Sequence, residues 1–165
     1  MLKLFSLLPN PLTKRLIYGQ SLLRNPFSLG VRIIVRNADD HVLLVRHSYI
    51  RGWYLPGGGV NGGEAMAEAA MRELREEAGI SATEDLRLLG VYLNRESFGR
   101  DHIGLFEVAG WEAQETFLQP NAEILEARFF NPGDLPQDAT RATADRIAEF
   151  CLGSRDRDPT GGGYW

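Results

Sequence analysis

The feature that most restricts how this chain folds is the stretch from Arg51 to Gly79, where a loop with six glycines and Pro56 runs straight into a strongly helical segment. The loop, Arg51 to Gly63, has no apolar periodicity, and its glycines let the backbone approach neighbouring groups closely. Glu64 to Ala78 is the best helix in the chain: Ala67, Ala70, Met71, Leu74 and Ala78 share one arc at about 100° per residue, and Gly79 supplies a stop. On the same helix Glu73, Glu76 and Glu77 fall within roughly 100° of one another, beside the apolar stripe. Alone, such a cluster reads equally well as a solvated face balanced by Arg72 and Arg75, since like charges at this spacing repel by only about 0.2–0.5 kcal/mol per pair. The glycine loop in front shifts the reading. Backbone carbonyls beside an anionic helix face suit a hard divalent cation, whose preferred ligands are carboxylate, carbonyl and water oxygens.

Elsewhere the pattern is strand-like. Val31, Ile33 and Val35 alternate, Asn37 to Asp40 supply a turn, and His41 to Val45 resume, which predicts a hairpin. Further strands are predicted at Leu86 to Tyr92, His102 to Val108 and Ala127 to Phe130, and a last helix at Thr140 to Leu152 with Ile147, Phe150 and Cys151 facing inward. Mixed strands with two main helices suggest a sheet covered by helices, in an α+β or α/β sandwich. Three regions follow: an arm at 1–27, one domain at 28–153, and a tail at 154–165 that is rich in Gly, Asp and Arg, with Tyr164 and Trp165 to anchor its end.

Charge narrows the partners. Residues 1–38 hold six basic side chains and no acidic one, so the remainder carries 12 basic against 22 acidic groups. An acidic domain disfavours long nucleic acid, which is bound through phosphate neutralisation by Lys and Arg. The basic, leucine-rich arm reads first as a helix packing on the domain or on a second subunit, as in a homodimer, and second as a peripheral membrane contact. Pro9 and Pro11 break the apolar run too early for a secretory signal. The single cysteine, Cys151, excludes an internal disulfide framework and fits a cytoplasmic protein.

The segment Gly58 to Ile80 resembles the Nudix box, G-x5-E-x7-R-E-U-x-E-E-x-G-U with U aliphatic. Gly58, Glu64, Arg72, Glu73, Leu74, Glu76, Glu77, Gly79 and Ile80 fill every specified position. With the preceding Trp53-Tyr54-Leu55-Pro56-Gly57 and the strands around it, the resemblance extends over about residues 29 to 150. It implies an α/β/α sandwich with a mixed β-sheet and a hydrolase that cleaves a diphosphate linked to another group. It also implies Mg²⁺, or Mn²⁺ in its place, held by Glu73, Glu76, Glu77 and the Gly57 carbonyl. By the same resemblance Arg72 orients a glutamate, and Glu64 and Gly58 support the loop. Asn61 stands where relatives often carry a further acid, so an extra metal contact there is not expected.

Outside the box, the general base is sought at Glu76, Asp101 or Glu123, with Asp101 preferred among the outside residues. Arg46, Arg95 and Arg100 are candidates to grip phosphates and His102 to orient substrate, each weighed against an ordinary surface or structural role. The segment Tyr92 to Gly104 is expected to shape specificity, with Tyr92, Phe98 or Trp53 able to stack on a base. The substrate class is a small phosphoanhydride, such as a nucleoside diphosphate derivative. Two alternatives stand beside it: a non-catalytic binding module with the same fold, which the complete box argues against, and an isomerase of the isopentenyl diphosphate type, which needs an active-site cysteine.

Overall fold

The computed structural model describes residues 27–95, 100–153 and 162–165. In it the first two strand-like runs become β1 (Ser28–Val35) and β2 (Val42–His47), yet they do not form the expected hairpin. The turn is real: Asn37 Oδ1 accepts from the amides of Asp39 and His41 at 3.1 and 3.0 Å, and Asp40 adopts φ 58°. Only an isolated Arg36–Val42 bridge joins the two strands. Instead β1 runs parallel to β5 (Asp101–Val108), and β2 runs antiparallel to β7 (Ile124–Phe130). The reason lies in burial. Ile33, Ile34 and Val35 of β1 and Val42 through Val45 of β2 are buried consecutively, so both strands need apolar layers on both faces.

β4 (Arg87–Asn94) pairs antiparallel with β5, and β8 (Gly162–Tyr164) pairs parallel with β4, giving a mixed sheet in the order β1-β5-β4-β8. The short strands β3 (Ile80–Ala82) and β6 (Trp111–Ala113) pair with each other. Alternate residues of β1 and β2 point to opposite faces. Val31, Ile33, Val35, Leu43 and Val45 pack with Ala70 and Leu74 of helix α1 (Met66–Ala78). Ile34 and Leu44 pack with Leu55, Tyr92, Leu105 and Ile147, the last on helix α2 (Arg141–Cys151). Strands between two helical layers make the α/β/α sandwich.

Three details differ from the sequence reading. Helix α1 begins two residues later than expected, because the Glu64 amide closes a turn onto Asn61 O at 3.1 Å and Glu68 caps the Ala65 amide at 2.9 Å. Its inward face includes Ala69 and Glu77, whereas Met71 is half-buried. On α2, Ile147 is fully buried but Phe150 and Cys151 only partly so, while Thr143 and Glu149 are buried. Gly79 ends α1 at φ 62°, and a Cβ there would lie 2.5 Å from the Thr116 carbonyl carbon, so the stop needs glycine. Apart from Phe27, the arm lies outside the described residues, as do Phe98 and tail residues 154–161; Trp165 anchors as expected, its amide donating to Leu93 O at 3.1 Å.

Candidate active site

β1 and the glycine loop build the floor of the site. The amides of Val31 and Ile33 donate to Gly58 O and Pro56 O at 2.9 Å each, and Val60 N–H donates to Leu29 O at 2.9 Å, so the loop runs alongside β1. At Gly57, φ is +138° and a Cβ would sit 2.1 Å from Val31 O. At Gly58 a Cβ would sit 2.4 Å from Glu73 Oε1. Gly57 is therefore required by its close approach to the strand backbone, whereas a side chain at Gly58 would displace the Glu73 carboxylate from its place.

Arg72 organises the outer flank of α1. Its Nε and Nη2 hold Glu64 at 2.9 and 3.1 Å, Nη1 holds Glu73 at 2.7 Å and Glu76 at 3.1 Å, and Nη2 also donates to Gly59 O at 2.9 Å. The fork, with the Asn61 amide at 2.9 Å, holds the Glu64 carboxyl down to about 2. The same carboxylates raise Arg72 further above its already high range.

The inner flank differs. Glu77 is only 4% exposed; its Oε2 accepts from the Gly57 amide at 2.7 Å and its Oε1 faces His47 Nδ1 at 3.7 Å. Burial pushes Glu77 up to about 8 against the opposing pull of the Gly57 amide and of Arg32. Burial likewise lowers His47, assisted by Arg32, and its Nδ1 has no hydrogen-bond partner among the described residues. Arg32 itself donates through Nη1 to the Gly57 carbonyl and to Val31 O. Sequence reasoning missed Arg32 and His47; the one signal for Arg32 was a cation between Val31 and Ile33 in an apolar strand.

The other predicted residues scatter. Asp101 accepts from Ser28 Oγ at 2.9 Å and Asn94 Nδ2 at 3.0 Å, and it lines a cavity of about 520 Å³ shared with Arg32, Tyr54, Thr140, Tyr164 and Trp165. Arg46 is held by Glu126 at 3.0 Å and lies against the Trp53 ring, while the Arg95 guanidinium stacks 3.3 Å from the Tyr164 ring centroid. The exposed Arg100 contributes its carbonyl to Ser28, and His102 packs its ring 5.8 Å from Phe27. Glu123 is exposed, and its charge reaches Glu77 and His47. Trp53 and Tyr92 are buried in the core. Cys151 lines a separate cleft with Arg36, His41 and Asn131, so no cysteine of the described residues enters the site.

Likeness to known proteins places the chain in a family. A family model for the NUDIX domain matches residues 26–150, and the chain belongs to that family. A Bacillus subtilis protein named "Putative 8-oxo-dGTP diphosphatase" is 30% identical over 134 residues, covering 81% of this chain and 87% of its own. The ADP-ribose pyrophosphatase of Methanocaldococcus jannaschii is 33% identical over 106 residues, covering 60% of this chain and 59% of its own. Among solved structures, a NUDIX hydrolase from Nitrosomonas europaea superposes with a TM-score of 0.64 at 24% identity, over 86% of this chain and 80% of its own, which supports the fold. Both curated relatives are named for a diphosphatase or pyrophosphatase activity.

The donor chemistry fits a hard divalent cation: Glu77 is a buried acid in direct contact with the Gly57 amide and a lowered histidine, near the Gly57 carbonyl and on the same helix as two further carboxylates. Among the described residues no three His, Cys, Asp or Glu side chains converge in this arrangement, because Arg72 holds Glu73 and Glu76 while Glu77 turns to the Gly57 amide. No helix among them is long and apolar enough to cross a membrane.

Proposed function

We propose that this chain is a Mg²⁺-dependent pyrophosphohydrolase, also able to use Mn²⁺, that cleaves a nucleoside diphosphate-linked or related small anhydride by water attack at phosphorus. Glu73, Glu76, Glu77 and the Gly57 carbonyl would hold the cation. The observation that carries this is Glu77, a carboxylate buried to 4% exposure without a matching arginine or lysine ion pair among the described residues. Keeping that acid ionised costs on the order of several kcal/mol unless a cation compensates it, and without one burial raises it to about 8, so that it holds its proton at neutral pH. Bound there, Mg²⁺ would supply charge neutralisation of the diphosphate and would acidify the attacking water.

The chain's own residues do the rest. Arg72 orients Glu73 and Glu76, Glu64 clamps Arg72, and Gly58 leaves room for Glu73 against the loop. Glu76, the exposed carboxylate of the set, takes the proton of water, and Asp101 is the second acceptor, held by Ser28 and Asn94 on the cavity wall. The cavity of about 520 Å³ suits a small leaving group better than long RNA, in keeping with the acidic domain. Of the arginines, Arg95 and Arg100 flank the segment leading into Asp101, with His102 after it, and bind substrate there; Arg46 serves from a separate cleft that it lines with His47. A cytoplasmic enzyme with a single half-buried cysteine fits this reading. So does a homodimer built through the arm, with peripheral membrane contact the less favoured role.

The test is a hydrolysis screen across phosphoanhydrides with product identification in ¹⁸O water. Mg²⁺-dependent cleavage that is lost with EDTA and falls by about 10³-fold in Glu76→Gln is expected. Undiminished turnover in that folded variant, with the same Mg²⁺ dependence, overturns the assignment.

A further inference from the structure

Arg32 is the charge that the proposed chemistry does not use. It stands on β1 between Val31 and Ile33, which face α1, and so projects to the other side of the sheet with Ile34. Its guanidinium reaches two neutral acceptors, the carbonyls of Val31 and Gly57, and forms no ion pair with a carboxylate among the described residues. Guanidinium has five donors, and the two bonds seen both come from Nη1. Arg32 also lines the cavity of about 520 Å³ that holds Asp101, Asn94 and Tyr54. A half-buried, unneutralised cation thus touches the metal cleft with one edge and the substrate cavity with the rest of its side chain.

Two cations do not share one carbonyl oxygen comfortably. If the Gly57 carbonyl ligates a divalent ion on its second lone pair, the ion stands next to Arg32 Nη1, and like-charge repulsion across the cleft favours departure of the guanidinium. The neighbouring space into which it can swing is the cavity it already lines. There a diphosphate would meet the planar fork that suits phosphate oxygens.

We propose that Arg32 is a positioning residue that couples metal and substrate: it caps the Gly57 carbonyl in the metal-free protein and, displaced by the divalent cation, turns onto a substrate phosphate. This rests on the metal site proposed above. The consequence is reciprocal. The cation binds weakly until an anionic ligand takes up Arg32, and the anion binds well only once the cation has released it.

The experiment measures Mn²⁺ binding to the full chain by electron paramagnetic resonance, with and without methylenediphosphonate, in the parent protein and in Arg32→Ala, Arg32→Gln and Glu73→Gln. Without diphosphonate, Arg32→Ala and Arg32→Gln are expected to bind Mn²⁺ about tenfold more tightly than the parent. Their Mn²⁺-loaded forms should bind methylenediphosphonate about tenfold more weakly. Arg32→Gln keeps a hydrogen-bond donor without the charge, so it carries the test if the alanine variant does not fold. A purely structural Arg32 would lower the melting temperature and leave the two affinities moving in the same direction, which overturns the proposal. Unchanged or weaker Mn²⁺ binding in both Arg32 variants, with binding still lost in Glu73→Gln, overturns the Arg32 inference alone. Absence of Mn²⁺ binding in the parent, or binding indifferent to Glu73→Gln, overturns the metal reading and this inference with it.

Discussion

The two flanks of helix α1 treat their carboxylates in opposite ways. On the outer flank Glu64, Glu73 and Glu76 share one arginine, and every bond in that fork satisfies both partners. On the inner flank Glu77, only one residue beyond Glu76, is buried with an amide on one oxygen and a lowered histidine 3.7 Å from the other. The outer cluster stabilises the loop and helix junction as it stands. The inner one, once ionised, is destabilising unless a cation compensates it, and an acid that burial raises to about 8 in this way is a functional-site candidate. The contrast yields predictions of unequal size.

The largest effect belongs to the inner flank. Glu77→Gln is expected to reduce Mg²⁺-dependent turnover by about 10³-fold or more, while the metal-free melting temperature stays level or rises. The amide oxygen can still accept from Gly57, and the amide nitrogen can donate to His47 Nδ1, which has no hydrogen-bond partner among the described residues. Calorimetry beside a turnover assay checks both halves. A variant that melts lower and still turns over breaks the comparison, because Glu77 would then be an ordinary structural acid.

The outer flank should behave the other way. Arg72→Ala leaves three carboxylates without their shared cation and is expected to lower stability by about 1–3 kcal/mol, read from denaturant midpoints. Activity falls with it by about 10–100-fold, through misplaced Glu73 and Glu76. Arg72→Lys should recover little, since an ammonium cannot span Glu64, Glu73 and Gly59 O at once.

A smaller, pH-dependent effect follows from Glu64. Its folded value, about 2, lies below the ordinary 4.5, so the folded state binds fewer protons there than the unfolded chain. The pairing therefore stabilises fully above about pH 4.5 and is lost as the pH falls toward 2. The stability gap between the parent and Glu64→Gln should close over that window in acid titrations followed by circular dichroism. A gap that widens with acid would mean that Arg72 finds its support elsewhere.

How much of this was legible in the sequence depends on distance along the chain. The box acids, Arg72 and the Gly79 stop are local, set by helical spacing and by one left-handed turn, so their positions carried through. The hairpin was misread although the Asn37 turn exists, because pairing partners were decided by burial on both strand faces and by β5, some 73 residues away. The burial of Glu77 was hidden by periodicity, which placed it beside the apolar stripe; the approach of the Gly57 amide draws it in. Arg32 and His47 join the site only through strand packing, and the three-residue strands β3, β6 and β8 are too short for any alternation to register.

The smallest effect touches neither flank. β8 adds a parallel edge to β4, and Arg146 fixes it by donating to Tyr164 O at 3.0 Å, which sets Tyr164 and Trp165 into the wall of the cavity shared with Asp101. Trp165 also packs its ring 5.8 Å from the buried Tyr92. Removing residues 162–165 takes away that wall but leaves Glu73, Glu76, Glu77 and Arg72 untouched. The expected outcome is a KM raised about three- to tenfold with kcat nearly unchanged, since uniform binding is lost and the reacting groups stay in place. Steady-state kinetics on the substrate found in the anhydride screen separates the two constants. A fall in kcat with KM constant would place the tail in the chemical step, and the division of labour between α1 and the rest of the cavity would have to be redrawn.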